Sequence, residues 1–224
     1  MRLNSTERPG EPQVRYCDLF WLFFVGSILG VIVEGVFCLV KKGRWESHVV
    51  SVWGWFNILY GLGAAGLYAG AVLLRQKPLW ARAVILMGVA TALELACGML
   101  LKWGLGMRAW DYSRNFLNVG GIICLRFSLY WGLVAVVFCL AAPRITGVLE
   151  HLRTRVLRIL CLTMSVLLAV NFSLTAVVIT RWSARHHGRC ATTAFSRMVD
   201  RMADDQWMQS RFVEWRFLNE TPEP

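Results

Sequence analysis

Five long apolar segments dominate the pattern of hydrophobic and polar positions along this chain. They cover residues 17–40, 51–74, 79–101, 123–142 and 157–180. Each is long enough for a membrane helix, which needs ~20 apolar residues to cross a hydrocarbon core ~30 Å thick. A membrane β-barrel would instead show short segments of alternating hydrophobicity. The pattern therefore predicts an all-α fold, a polytopic integral membrane bundle of about five transmembrane helices.

The polar stretches between these segments are short and suggest three parts of the chain. We expect a polar N-terminal segment at 1–16, one transmembrane domain at 17–180 and a basic, amphipathic tail at 181–224. The N-terminal segment has mixed charge, and no A-x-A site ends the apolar segment that follows it, so we expect no cleavable signal peptide.

Residues 192–218 of the tail have a different pattern from the spans. Apolar residues recur there at roughly helical spacing, namely Phe195, Met198, Val199, Met202, Met208, Phe212 and Trp215. Charged residues lie between them, which indicates an amphipathic helix on the membrane surface. A helix that docks on a partner protein and a disordered tail are the two alternatives.

Composition and charge agree with a membrane protein and argue against a soluble domain and a nucleic-acid-binding protein. Hydrophobic residues make up 56% of the chain and charged residues 17%, whereas about a quarter of a soluble domain is charged. The net charge of +10 fits basic loops beside anionic headgroups. No basic-aromatic groove accompanies it, so we expect no nucleic-acid binding. The basic residues are divided too evenly for the positive-inside rule to give the orientation.

Two glutamates lie within the predicted spans, where a charge costs roughly 2.5–3.5 kcal/mol at the bilayer centre and usually faces the bundle interior. Gly26 and Gly30 share a helix face with Glu34, and Gly98 shares one with Glu94. Small residues let helices approach closely, so we expect both carboxylates to face helix–helix contacts.

Both glutamates are predicted to lie ~9–10 Å below the same membrane face, given the rise of a helix per residue. Other polar residues near that face are Asn57, Tyr60, Arg126, Ser128 and Asn171. The loop at 102–122 belongs to the same side and contains Trp110, Asp111, Tyr112, Ser113 and Asn118, with Gly121 as a further packing glycine. We therefore predict a polar cavity with the glutamates at its floor and this loop as its cap.

The role of the glutamates stays open at this point. They could relay protons, hold a cation, bind a cationic substrate or pair with Arg126, and a purely structural Glu–Arg network is an equal candidate. Catalysis is less expected, because no nucleophile has an adjacent base and His48 and His151 fall in loops on opposite sides. The stretch HHGRC at 186–190 lacks a second ligand cluster. We therefore predict no catalytic residues, no metal site and no cofactor.

No G-x-x-x-x-G-K-[ST] phosphate loop occurs in the chain. If the protein uses ATP, another chain must hydrolyse it.

Three blocks resemble the putative ABC-transporter type IV family, the CmpB-like putative ABC transporter permeases. They are SILGVIVEGVF (27–37), GWFNILYGLGA (54–64) and LELACGMLLKWGLGMRAWDYSRNFLNVGGIICLRFSLYWG (93–132). The most specific part is Trp-Asp-Tyr-Ser, followed by Asn, Gly, Ile-Cys-Leu and Ser-x-x-Trp-Gly. The chain departs from the family at Trp55 and Ile58, which replace prolines, at Lys102, which replaces a glutamate, and at Ile122, which replaces a basic residue.

The resemblance implies a multi-pass transport protein of a prokaryotic cell membrane, a permease subunit with a separate ATPase partner. Membrane lipids and further copies of the chain, as a homo-oligomer, are the other expected partners. Two alternatives stay open: a stand-alone lipid-handling membrane protein or enzyme that uses the cavity, and a structural or regulatory protein without a substrate.

Overall fold

The computed structural model describes residues 14–219, apart from the side chain of Lys42, and these residues are mainly helical. The helices are α1 (Tyr16–Lys42), α2 (Ile58–Leu73), α3 (Leu79–Met99), α4 (Leu125–His151), α5 (Arg155–His186), α6 (Ala194–Met202) and α7 (Asp205–Arg211). The strands are β1 (Met107–Arg108), β2 (Asn118–Val119), β3 (Ile123–Cys124) and β4 (Arg216–Phe217). They form two antiparallel pairs, β1 with β4 and β2 with β3. The fold class is confirmed; most of the predicted segment 1–16 lies outside the described residues.

Four of the described helices are long and apolar enough to cross a membrane. They are α1, α3 with its π-helical extension Leu100–Gly104, α4 and α5. The fifth, α2, has 16 residues. At 1.5 Å per residue it is about 24 Å long, shorter than the ~30 Å hydrocarbon core. The predicted span 51–74 is therefore only partly helical.

Residues 51–57 form an irregular segment in front of α2. Asn57 begins the helix as its N-cap, with the side-chain oxygen accepting a backbone N–H at 3.0 Å. The backbone N–H of Trp53 donates to Asn171 Oδ1 of α5 at 3.1 Å, and the Asn171 amide donates back to the Trp53 carbonyl at 2.9 Å. Protein partners thus satisfy both backbone groups of Trp53, as irregular structure within a membrane requires.

Glycines bring α1 and α2 into close contact. A Cβ at Gly26 would lie 2.5 Å from Cβ of Ala64, and a Cβ at Gly30 would lie 2.3 Å from the ring of Tyr60. Since real side-chain atoms do not approach so closely, these positions require glycine while the helices keep this separation. This packing sets the position of Glu34, one turn after Gly30 on α1.

Two loops and the tail come together at one end of the bundle, which we call the capped end. They are loop 43–57, loop 105–124 and tail 187–219, and the β1–β4 pair joins the second loop to the tail. The buried apolar core at this end consists of Met107 of the second loop, Ile179 and Trp182 of α5, and Ala203, Met208, Phe212, Trp215 and Phe217 of the tail. At the opposite end, Arg153 of the α4–α5 connection pairs with the buried Asp18 of α1 at 2.8 Å.

The tail contains two short helices where the sequence predicts one. Asp204 starts a new helix, because its side chain accepts the backbone N–H of Trp207 at 2.8 Å. Met208 and Phe212 of the predicted lipid-facing stripe are buried against protein. The stripe pattern identifies a buried face but does not distinguish a protein surface from a lipid one.

Candidate functional site

Glu94 of α3 is buried, and fixed donors occupy both of its carboxylate oxygens. Tyr112 Oη donates to Oε1 at 3.0 Å, and Trp131 Nε1 donates to Oε2 at 3.0 Å. The Tyr112 ring stacks on Phe127 of α4, with the centroids 4.2 Å apart. Glu94 therefore joins α3, loop 105–124 and α4, and we call this group the Glu94 clasp.

The phenol of Tyr112 is the donor in this clasp. Burial raises the pKa of Tyr112, and the charge of Glu94, its hydrogen bond and the charge of Glu34 raise it further. Tyr112 consequently stays protonated at neutral pH. The charge of Glu34 thus acts on the same hydroxyl that donates to Glu94.

Asp111, the acidic residue of loop 105–124, is bound within the loop itself. Its Oδ1 accepts the backbone N–H of Ser113 at 2.8 Å, and its Oδ2 pairs with Arg108. Partial burial alone would raise the pKa of Asp111, but the hydrogen bonds from Ser113 and the charges of Arg108 and Lys102 lower it below its usual value. Asp111 is therefore ionised at neutral pH and fastens the loop.

Glycines allow loop 105–124 to lie directly on α3. A Cβ at Gly98 would lie 2.1 Å from Cγ2 of Ile122, and Gly121 has a φ of 73°, in the left-handed region. Trp110 donates from Nε1 to the Ile122 carbonyl at 2.7 Å, and Asn118 Oδ1 accepts the Gly121 N–H at 3.2 Å. These contacts hold the loop against the end of the bundle.

Glu34 of α1 has a different set of partners from Glu94. Its Oε1 lies 3.3 Å from Nδ1 of His48, and Glu214 of the tail contacts the same nitrogen. On the other side of the imidazole, Nε2 lies 3.3 Å from Sγ of Cys38. This second polar group, the His48 group, also includes the carboxylate of Glu46.

The His48 imidazole is surrounded by negative charge. Burial alone would lower the pKa of His48, but the hydrogen bond to Glu214 and the charges of Glu34, Glu214 and Glu46 outweigh it, so the pKa lies above its ordinary value. The imidazolium form therefore persists to higher pH than in an exposed histidine.

Arg126, Asn57 and Ser128 have separate places at the capped end. Asn57 donates from Nδ2 to the backbone carbonyl of His48 at 2.8 Å and so fixes loop 43–57. Arg126 is exposed and donates from Nε to Tyr130 Oη at 3.1 Å. Within residues 14–219 it forms no ion pair with Glu34 or Glu94. Ser128 is half-buried in the first turn of α4.

The histidines of HHGRC take part in packing of the tail. The ring of His186 stacks on Phe217 with the centroids 3.5 Å apart. His187 Nδ1 donates to the carbonyl of Ser183 at 2.7 Å.

The sequence analysis did not find the His48 group. Cys38 lies one helical turn after Glu34, a spacing that places both on one face of α1. Glu214 carries no local signal, because only the folding of the tail onto loop 43–57 brings it to His48. The two glutamates, predicted at one cavity floor, thus belong to two adjacent polar groups with Tyr112 near both.

A cleft of about 540 Å³ opens at the capped end, between the end of α1 and the start of α4. Its walls carry the cations Lys41, Arg44, Arg126 and Arg216, the carboxylates Glu46, Asp111 and Glu214, the imidazole of His48 and the aromatic rings of Phe37, Tyr112, Phe127 and Tyr130. Such a mixture of charged and aromatic groups can bind a polar or amphipathic ligand.

The chain matches the model of a known protein family. Residues 21–176 match the model of the family described as putative ABC-transporter type IV. No curated protein and no solved structure matches the chain. The matched range includes both glutamates and loop 105–124, which agrees with the resemblance that their motifs indicate.

Proposed function

This chain belongs to the putative ABC-transporter type IV family, and we propose that it is the membrane subunit of a transporter whose ATPase is a separate chain. The family match and the long apolar helices support a multi-pass, transporter-like membrane protein. If this transporter uses ATP, a separate chain must hydrolyse it, because this sequence has no phosphate loop of its own. We assign it to a prokaryotic cell membrane and retain 17–180 as its membrane domain.

The cleft at the capped end is the observation that carries the proposed substrate site. Two helix ends, two loops and the tail all contribute to its walls. Because these walls come from three regions far apart in the sequence, 37–48, 109–130 and 213–216, a relative movement of the helices would change the shape of the cleft. A transporter needs such a site that opens and closes as its helices move.

The two polar groups have different roles in this proposal. The Glu94 clasp has donors on both oxygens, so it holds loop 105–124 over the bundle. The side chain of His48 lines the cleft itself, with Glu214 beside it. Substrate contact is therefore assigned to the side of His48 and Arg126, and the clasp is assigned to positioning the loop.

The test is the ATPase activity of the assembly purified in mild detergent from native membranes. Arg126→Gln removes a charge from the cleft in the first turn of α4, and we expect it to lower the activity. Arg155→Gln is the matched control, since Arg155 occupies the first turn of α5 at the opposite end. Equal activities of the two variants would contradict the assignment of the cleft.

A stand-alone lipid-handling function is the second candidate. The cleft has exposed aromatic rings at its mouth, with Lys41 Nζ 5.5 Å from the ring centroid of Phe37 and the Arg126 guanidinium 5.7 Å from that of Tyr130. Cations over aromatic rings at a membrane interface suit a lipid headgroup. Purification of the chain without an ATPase but with bound lipid would favour this function.

A further inference from the structure

Four potential metal ligands meet at the capped end, outside the Glu94 clasp. Cys38, Glu46, His48 and Glu214 each place one donor atom within 4.8 Å of the other three. Cys38, Glu46 and His48 come from the end of α1 and the loop that directly follows it, whereas Glu214 comes from the tail, far away in the sequence. We propose that these four side chains bind a Zn²⁺ ion.

The donor set selects zinc among the common metal ions. One thiolate, one imidazole and two carboxylates are ligand types that Zn²⁺ takes in proteins, usually four at a time. Mg²⁺ and Ca²⁺ prefer oxygen ligands alone, so Cys38 and His48 argue against both. Cys38 is buried and lies beside the His48 imidazole. A cysteine that faced lipid would have no such polar partner.

The distance between the sulfur and the nitrogen fits a tetrahedral ion without rearrangement. Zn–S and Zn–N bonds of ~2.3 and ~2.0 Å place neighbouring ligand atoms about 3.3–3.6 Å apart. Cys38 Sγ and His48 Nε2 lie 3.3 Å apart. Rotation of Glu214 away from His48 Nδ1, and of Glu46 away from Arg44, would close the remaining separations of up to 4.8 Å. Binding would release the thiol proton of Cys38 and, from the imidazolium form of His48, the Nε2 proton to solvent.

Glu34 is suitably placed to orient the imidazole. Its Oε1 lies 3.3 Å from Nδ1, the ring nitrogen on the side away from Cys38, which Glu214 also contacts. Once Glu214 turned to the ion, Glu34 would remain as the acceptor of this nitrogen. Metal-binding histidines usually donate their second N–H to such an acceptor, which fixes the ring and the tautomer. We assign Glu34 as a positioning residue, because its carboxylate would act on the ion through His48.

An ion at this place would fasten the tail to the bundle, since it would link Glu214 to Cys38 of α1. The inference requires neither an ATPase nor a substrate, but Glu46, His48 and Glu214 also line the proposed substrate cleft, so a bound ion would form part of its wall.

The test is Co²⁺ binding to the full chain, purified in mild detergent through a tag without histidines and stripped of metal with a chelator. Thiolate ligation gives a charge-transfer band in the near ultraviolet, and four-coordination gives intense visible bands. We expect one equivalent of Co²⁺ with both features, displaced by Zn²⁺. Cys38→Ser should remove the charge-transfer band. Cys190→Ser should keep it, since this exposed cysteine belongs to HHGRC.

Two further measurements keep the proposal testable if Cys38→Ser does not fold. Zn²⁺ should protect Cys38 of the unmodified chain from alkylation and leave Cys190 reactive, as read by peptide mass spectrometry. Glu34→Gln should keep the band but weaken Co²⁺ binding by about 10–100-fold. Absence of the thiolate band in the unmodified chain, its survival in folded Cys38→Ser, or equal alkylation of Cys38 with and without Zn²⁺ would overturn the proposal.

Discussion

Tyr112 donates a hydrogen bond from its hydroxyl to Glu94 Oε1 at 3.0 Å, and this bond ties loop 105–124 to a carboxylate buried in α3. The Trp-Asp-Tyr-Ser motif and the intramembrane glutamate are therefore parts of one arrangement. Within the motif, Trp110 and Asp111 hold the loop in shape, while Tyr112 reaches into the bundle. The polar segment between two apolar spans is thus explained by the carboxylate that it covers.

Loss of the Tyr112 hydroxyl should destabilise the clasp. Tyr112→Phe keeps the stack on Phe127 but leaves a carboxylate oxygen without its donor. Hydrogen bonds to charged groups contribute about 1.5–3 kcal/mol, so we expect a loss of that size in the free energy of unfolding, measured in detergent. A cycle with Glu94→Gln should show coupling between the two changes. Strict additivity would mean that the bond contributes nothing.

A methyl group at Gly98 should force the loop away from α3. Gly98→Ala places a Cβ 2.1 Å from Cγ2 of Ile122, and overpacking of this kind costs about 1–3 kcal/mol. Gly88→Ala on the same helix is the control, because nothing lies within 4 Å of its Cβ position. Thermal unfolding of both variants checks the prediction, and equal melting temperatures would contradict it.

Acid should release the tail through Asp200. Hydrogen bonds from Arg181 and Arg185 hold the pKa of this carboxyl below its usual value. Because the folded-state pKa is depressed, the stabilisation is complete above the unfolded value of ~3.9 and is lost as the pH falls through the folded pKa. Asp200→Asn should cost about 1 kcal/mol at neutral pH and remove this acid-dependent part. Limited proteolysis of the tail against pH measures both effects.

The exposed Asp205, which within residues 14–219 pairs with Arg185, supplies the comparison for that measurement. Asp205→Asn should have the smaller effect, and the reverse order would show that Asp200 does not fasten the tail.

The tail should depend on its buried aromatic core. Phe212 is 1% exposed, and removal of a buried phenylalanine side chain costs about 3–5 kcal/mol, so Phe212→Ala should open the tail to proteases. Phe195 of α6 is 56% exposed and provides the matched change. A Phe195→Ala variant cleaved as rapidly as Phe212→Ala would indicate that the tail is not packed in this way.

Much of the fold could be predicted because long apolar segments have few possible structures in a bilayer. Hydropathy alone does not show that residues 51–57 are irregular, since Asn171 of a distant helix satisfies their backbone. Asn57 and Gly54 were local signals in the sequence for the late start of α2. In the structure Asn57 is the N-cap of this helix, and Gly54 has a φ of 73°.

The candidate site could be predicted only in part. Helical periodicity predicts that Glu34 and Gly30 share one face of α1. The block with the Trp-Asp-Tyr-Ser motif connects Glu94 with the loop after α3. The contact between His48 and Glu214 depends on the packing of the tail, which no periodicity along the sequence specifies. Arg126, expected near the glutamates, instead bonds Tyr130 one turn along its own helix, a local contact that competes with the distant one.

Native mass spectrometry of the assembly, purified in mild detergent from its own membranes, tests the proposed function most directly. A transporter subunit should appear in a complex of defined stoichiometry with an ATPase chain. The chain detected alone, or only with bound lipid, would contradict a permease function and favour the stand-alone lipid-handling alternative.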